Sequence, residues 1–224
     1  MLCELTPYSI GVAFLKIDLS QIYRYLGMPT ITYDEQIEAN ITRLLPLFIS
    51  SLNPKGVFRS HTLSIANDDV LFVDTTFHSH HLACHLANCH KAYLLACTLG
   101  SSIDKLLARF SLLSPSDTLI LQALSTIYIE AVADHFQALF EENEQPAFSS
   151  LRYSPGYGDL SLSYQTDVFR LLSCEKRIQL TLKDTLIMAP SKSITAFIGF
   201  RHNHIDSPHA CITCTHPCEY RKDS

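Results

Sequence analysis

Three cysteines near the C-terminal end of the chain have the spacing of metal ligands. Cys211, Cys214 and Cys218 fall within eight residues. Two thiolates separated by two residues can bind one ion from a single turn, and a third can supply another ligand. A neighbouring histidine could be the fourth ligand of zinc, whereas an iron–sulfur cluster could leave one iron open. We therefore expect zinc or an iron–sulfur cluster here, and the alternative is a tail of reduced thiols.

Histidines and cysteines also cluster between His78 and His90. On a helix, His81, Cys84 and His85 would share one face, which is the geometry of a metal clip. However, cysteine is among the most frequently buried residues, and no distant second pair of ligands is visible. A structural or solvated role for these side chains is therefore favoured over a metal site.

A third group combines a guanidinium with a glycine-containing bend, in Arg152-Tyr153-Ser154-Pro155-Gly156-Tyr157. Glycine lets a backbone approach a ligand closely, arginine can bind a carboxylate through two parallel hydrogen bonds, and tyrosine offers a flat apolar face. Glu130, within an apolar part of a predicted helix, could be a ligand carboxylate or could lie on the wet face. On residue types alone, an ordinary structural turn is favoured for the Arg152 segment.

The elements that must position these groups are predicted by capping residues and apolar patterns. Ser114 as N-cap, Pro115 at the first helical position and Asp117 predict a helix that runs to about Phe140, roughly 40 Å long. The apolar run 92–98 predicts a buried strand.

Segments 177–182 and 193–200 alternate in polarity and predict two further strands. Together these elements indicate an α+β fold, in which a twisted, mainly antiparallel sheet packs against helices and one long central helix. Residues 1–200 are expected to form one domain, followed by a Cys/His-rich tail over 201–224.

Composition excludes several classes of protein. The chain has 224 residues, 47% hydrophobic and 17% charged, which is typical of a globular protein and not of a disordered one. A formal charge of -5 without a basic patch argues against nucleic-acid binding. No uncharged stretch approaches the ~20 apolar residues of a membrane span. The N-terminus lacks a signal-peptide pattern, so we expect a cytoplasmic protein with reduced cysteines.

Several unlike motifs recur in one order and resemble the C-terminal activation domain of cobalamin-dependent methionine synthase. That family has an Arg-x-x-Pro-Gly-Tyr loop, a helix, a Leu-Thr-Glu-Ser-like strand, a Met-x-Pro step and a Ser-Val-Ser-Gly-like strand. The corresponding segments here are the Arg152–Tyr157 loop, Leu182-Lys183-Asp184-Thr185, Met188-Ala189-Pro190 and Ser193-Ile194-Thr195-Ala196. The resemblance is specific over roughly residues 115–200, and the tail lies outside it.

The resemblance implies that the protein binds S-adenosylmethionine and supports reductive remethylation of cob(II)alamin. The family's donor-binding loop corresponds to Arg152, Pro155, Gly156 and Tyr157, and its helical acidic residue corresponds to Glu130. Arginine would pair the donor's carboxylate and glutamate its ammonium, with no catalytic residue in this chain. The protein would then be one component of a methyltransferase activity rather than an enzyme alone.

Two departures from the family affect what the resemblance implies. Gly158-Asp159-Leu160 replaces Pro-x-Cys-Pro, and Lys183-Asp184-Thr185 replaces Thr-Glu-Ser, so details of the donor and corrin contacts differ. No Asp-x-His-x-x-Gly loop for binding cobalamin is present, so the corrinoid must arrive on a partner methionine synthase or methyltransferase.

Two other functions stay open. The tail could make the chain a metal or iron–sulfur protein that delivers electrons to a corrinoid in another methyltransferase system, or that works with a separate electron-donor protein. Alternatively, the chain could be a docking scaffold that kept the fold and lost the ligand.

Overall fold

The structure is a computed structural model that describes residues 4–28, 34–145 and 147–202. The strands are β1 (Tyr8–Ser9), β2 (Lys55–Thr62), β3 (Ser64–Ala66), β4 (Asp69–Phe72), β5 (Thr75–His78), β6 (Lys91–Thr98), β7 (Phe148–Ser149), β8 (Thr181–Leu182), β9 (Met188–Ala189) and β10 (Ser193–Arg201). The helices are α1 (Ile22–Tyr25), α2 (Glu35–Ser51), α3 (His80–His85), α4 (Ser101–Leu113), α5 (Pro115–Asn143), α6 (Gln165–Leu172) and α7 (Cys174–Ile178), with 3-10 turns at Val12–Phe14, Leu19–Gln21 and Leu162–Tyr164.

The centre of the fold is a five-stranded antiparallel sheet in the order β1-β2-β6-β10-β7. β6 lies in the middle, with Thr98 opposite Lys55 on one side and opposite Ser193 on the other. Strands β3, β4 and β5 form a separate antiparallel sheet, and β8 pairs with β9. The predicted α+β class with a mainly antiparallel sheet is therefore confirmed.

Helices and the small sheet cover both faces of the central sheet. Alternate residues of β6 point to opposite sides, as a pleated strand requires, so Tyr93 and Leu95 join one core while Leu94 and Ala96 join the other. The first core contains side chains of α1, α2, α4 and α5, and the second contains side chains of β4, β5, α3, α6 and α7. Burial on both faces explains why β6 is a continuous apolar run.

The long helix α5 spans 29 residues, which corresponds to about 43 Å. Ser114 caps it by accepting a hydrogen bond from the Asp117 amide at 3.3 Å, and Pro115 occupies the first helical position. The predicted start is therefore confirmed, and the helix extends three residues beyond the expected end at Phe140. Among the described residues, no helix is long and apolar enough to cross a membrane.

One predicted strand is wrong over most of its length. Residues 177–182 were expected to be extended, but α7 includes Arg177 and Ile178, and only Thr181–Leu182 forms a strand. Ile178 and Leu180 are fully buried in the second core, while Gln179 ends the helix in the left-handed conformation with φ 58°. The polarity alternates here because one side of a short helix and turn is buried. Over only six residues, that pattern looks the same as the alternation of a strand.

Candidate functional site

The backbone around Arg152 lies against the edge of β10. The Tyr153 amide donates to the Phe197 carbonyl at 3.0 Å, and the Phe197 amide donates to the Tyr153 carbonyl at 2.7 Å. The Ser154 hydroxyl donates to the Thr195 carbonyl at 2.6 Å. Because the central sheet fixes this segment on both sides of Tyr153, the position of Arg152 is set by the sheet and not by the loop that follows.

The side chain of Arg152 reaches across to the outer face of α5. Its Nη2 lies 2.9 Å from Glu130 Oε2 and its Nη1 lies 2.7 Å from Asp134 Oδ1. Nη1 also donates to Gln137 Oε1 at 3.3 Å. The Arg152 side chain is 23% exposed, whereas the Asp134 side chain is 68% exposed. The structure thus brings together the two charged residues that the resemblance places in a donor site.

This ion pair network affects the pKa of Arg152 and lies above a buried thiol. Burial alone would lower the pKa of Arg152, but the Asp134 hydrogen bond and the charges of Asp134 and Glu130 raise it overall. Cys97 on β6 is fully buried, and burial raises its pKa to about 12 despite the nearby positive charge of Arg152. The guanidinium is therefore always charged, and the thiol beneath it is neutral.

The loop after Arg152 consists of consecutive tight turns. The Tyr157 amide donates to the Ser154 carbonyl at 3.1 Å, and the Gly156 amide donates to the Leu160 carbonyl at 2.8 Å. Gly156 has φ +96°, a conformation that side chains rarely adopt, which explains the need for glycine. Pro155 is buried and Tyr157 is 57% exposed, so the tyrosine ring is free to contact another molecule.

Asp159 attaches this loop to the beginning of α3. Its carboxylate accepts hydrogen bonds from the Ser79 hydroxyl, from the His80 amide at 2.9 Å and from the His81 amide at 3.2 Å. The Ser79 hydrogen bond and the two backbone hydrogen bonds lower the pKa of Asp159. A carboxylate at a helix start is favourable because free amides point toward it. Asp159 thus anchors the loop where the sequence departs from the family pattern.

Sequence reasoning did not identify two further partners of the arginine, Asp134 and Gln137, nor Lys192, which contacts α5 at Thr126. Asp134 follows Glu130 by four residues, so the same helical face could have been recognised from spacing alone. The Lys192 Nζ lies 3.4 Å from Thr126 Oγ1, one turn before Glu130. No local signal relates Lys192 to α5, because the contact joins segments that are 66 residues apart.

The His81, Cys84 and His85 group does not converge on one point. His85 Nε2 donates to the Leu151 carbonyl at 2.8 Å, Cys84 Sγ lies 3.5 Å from His80 Nε2, and His81 lies beside Asp159. Within the described ranges, no group of three or more histidine, cysteine or acidic side chains could hold a metal ion. The predicted ligands Cys211, Cys214 and Cys218 lie outside the described residues.

Comparison with known proteins gives a structural match. No protein-family model matches the chain, and no curated protein matches it. A crystal structure of the MetH reactivation domain bound to AdoHcy superposes with a TM-score of 0.64 at 18% identity, covering 91% of this chain and 79% of that chain. This match confirms, at the level of the fold, the resemblance drawn from the sequence. The chain therefore has the fold of the MetH reactivation domain.

Proposed function

We propose that this protein binds S-adenosylmethionine beside α5 and supports reductive remethylation of cobalamin on a partner methionine synthase. The observation that carries the proposal is the contact between Arg152 and Glu130, 2.9 Å apart, in a chain that shares the fold of a domain solved with AdoHcy. The residues proposed to hold the donor are Glu130, Arg152, Pro155, Gly156 and Tyr157.

The role of these residues is to bind and orient the donor. The carboxylates of Glu130 and Asp134 attract a cationic sulfonium, and Arg152 keeps both in place. The exposed ring of Tyr157 offers an apolar surface. The methyl group would pass from the sulfonium to the reduced cobalt of the partner's cobalamin, so that the carbon–sulfur bond breaks as a cobalt–carbon bond forms and S-adenosylhomocysteine is left behind. Cobalamin arrives on the partner, and a one-electron donor protein must first reduce its cob(II) form. Proximity and orientation are the contribution of this chain.

Calorimetric titration with S-adenosylmethionine tests donor binding. We expect micromolar affinity for the wild-type chain and at least about a tenfold loss in Arg152→Ala, because the two carboxylates lose their shared cation. The matched control is Arg109→Ala, which removes an exposed arginine on α4. Absence of heat with excess donor would contradict donor binding. If a corrinoid partner still bound under those conditions, the docking scaffold would be the better description.

For the tail, we also propose that Cys211, Cys214 and Cys218 bind zinc or an iron–sulfur cluster. The support is the spacing of three thiols within eight residues of an otherwise polar segment. An iron–sulfur cluster would let this chain itself deliver the electron to a corrinoid. Anaerobic purification with metal analysis distinguishes the cases: iron with visible absorption, colourless protein with zinc, or neither metal, which would contradict the proposal.

A further inference from the structure

A buried arginine without a counter-charge lies at the end of β10. Arg201 is 8% exposed, and its Nε atom is buried without a hydrogen-bond partner. Among the described residues, no carboxylate forms an ion pair with it. A buried cation without an anion is costly, because it gives up hydration and gains no Coulombic attraction in return. A negative group placed beside Arg201 would therefore be stabilising.

The thiol of Cys89 lies next to this arginine. Gly199 and Arg201 are two residues apart on β10, so they face the same side of the sheet. A Cβ added at Gly199 would lie only 2.6 Å from Cys89 Sγ. The backbone after the cysteine is fixed to the same strand, because the His90 amide donates to the Phe200 carbonyl at 2.9 Å. Burial raises the pKa of Cys89, and the positive charge of Arg201 opposes part of this effect.

The segment that carries the three clustered thiols follows directly from this strand. β10 ends at Arg201, and Cys211 comes ten residues later. Ten residues span at most roughly 33 Å when extended, so the chain is long enough to turn back to Cys89. Cys211, Cys214 and Cys218 provide three ligands, whereas structural zinc sites and iron–sulfur clusters are typically held by four. One ligand is missing from the cluster, and Cys89 is a half-buried thiol within its reach.

The neighbouring His90 is less suited to be the missing ligand. Its Nδ1 atom is buried without a hydrogen-bond partner, so a metal ion could reach it only if the ring moved. One face of the ring is covered by His202, with the ring centres 4.0 Å apart and the planes nearly parallel. A neutral imidazole also brings no negative charge to Arg201, whereas a thiolate does.

We propose that Cys89 is the fourth thiolate ligand of the metal site formed with Cys211, Cys214 and Cys218, and that Arg201 stabilises the negative charge of this site. Each thiol loses its proton as it binds the ion. A divalent zinc ion with four thiolates carries two net negative charges, which the guanidinium beside Cys89 partly neutralises. The inference rests on the metal binding proposed for the tail, and it adds a ligand and a positioning residue from the folded domain.

The zinc affinity of matched variants tests this assignment. The full chain is purified anaerobically, stripped with a chelator, loaded with Zn²⁺ and titrated with a competing chelator. We expect Cys89→Ser to weaken zinc binding by at least about a hundredfold, because a ligand is lost, and Arg201→Met to weaken it about tenfold, as for an outer-shell partner. Cys84→Ser removes the exposed thiol five residues earlier and should leave the affinity unchanged. If the purified chain holds iron instead, the iron content and visible absorption of the same variants are compared.

Alkylation identifies the ligand directly. Bound metal should protect Cys89 from iodoacetamide, and stripping the metal should raise its labelling rate at least about tenfold, whereas Cys84 should react equally in both states. Thermal unfolding confirms that each variant is folded. Unchanged metal affinity in Cys89→Ser, an equal loss in Cys84→Ser, or a loss in His90→Gln alone would overturn the role of Cys89 while the tail site stands. A wild-type chain that holds neither zinc nor iron would instead overturn the metal binding proposed for the tail, and this inference with it.

Discussion

At the scale of single residues, His85 contacts both neighbours of Arg152, the backbone of Leu151 and the ring of Tyr153. Its Nε2 donates to the Leu151 carbonyl, and its ring packs 4.9 Å from the ring of Tyr153, centre to centre. Burial lowers the pKa of His85, the Leu151 hydrogen bond raises it in part, and the charge of Arg201 lowers it further. The folded protein therefore favours the neutral imidazole of His85.

We expect the free energy of unfolding to fall as the pH drops from about 7.5 to about 5.5. The unfolded chain has a histidine pKa of about 6.5, so below that pH it binds the proton that folded His85 resists, and unfolding becomes more favourable. His85→Gln keeps a donor for Leu151 and should show a smaller loss. The measurement is urea unfolding at both pH values.

The control for this prediction is His61→Gln, which removes an exposed histidine of β2. His90 also has a lowered pKa, through its burial and the nearby His202, so His85→Gln should keep part of the pH dependence. An unchanged pH dependence in His85→Gln would show that His85 is not its source and would contradict the prediction.

At the scale of elements, the candidate site combines β10, one face of α5 and the loop after Arg152. We expect the loop to be less stable than the strand and the helix. β10 and α5 hold Arg152 and Glu130 through two cores. The following loop is held by its own turns, by Leu160 in the second core and by Asp159 at the start of α3. Exposed backbone hydrogen bonds with few apolar contacts open first in native proteins. Asp159 is therefore the polar anchor that joins the exposed side of the loop, next to Tyr157, to α3.

Replacing Asp159 with alanine should release the loop without unfolding the sheet. The amides of Gly156, Tyr157 and Leu160 all donate within the loop, and they should exchange with deuterium several-fold faster in Asp159→Ala. Hydrogen–deuterium exchange with peptide mapping measures this, with Asp184→Ala as a control at another exposed turn. Exchange of the loop amides in Asp159→Asn should be faster than in the wild type and slower than in Asp159→Ala. Unchanged loop exchange, or equal acceleration throughout β10, would contradict this role.

At the scale of the whole molecule, the central sheet separates two cores, and among the described residues each core contains one buried thiol. Cys97 lies in the core beneath α5, and Cys174 lies in the core formed by α3, α6 and α7. Burial raises the pKa of both thiols to about 12. Because a thiol reacts as its thiolate, both should be inert while the protein is folded. They therefore report whether the two faces of the sheet unfold together.

We expect Cys97 and Cys174 to become reactive toward iodoacetamide at the same urea concentration, if residues 1–200 form one cooperative domain. The exposed Cys84 should react without denaturant and serves as the internal control. Mass spectrometry of labelled peptides distinguishes each site. Labelling of Cys174 well before Cys97 would show that the second core opens alone. The domain boundary would then have to be redrawn.

Local chemistry in the sequence was enough to define the main elements. Ser114 and Pro115 begin α5, and the apolar run of β6 marks a strand that is buried on both faces. The order of the motifs between Glu130 and Thr195 also predicted the fold. Capping and side-chain periodicity act within a few residues, so these features can be recognised without knowing what packs where.

The partners in the site depended on the tertiary structure. The sequence alone determined that Arg152 and Glu130 are candidates, but only the folded chain placed Asp134 on the same guanidinium and Lys192 beside Thr126. It also turned the predicted strand at 177–182 mostly into α7. The physical reason is that ion pairing and burial are decided by segments far apart in the chain, and local patterns carry no information about which distant groups will meet.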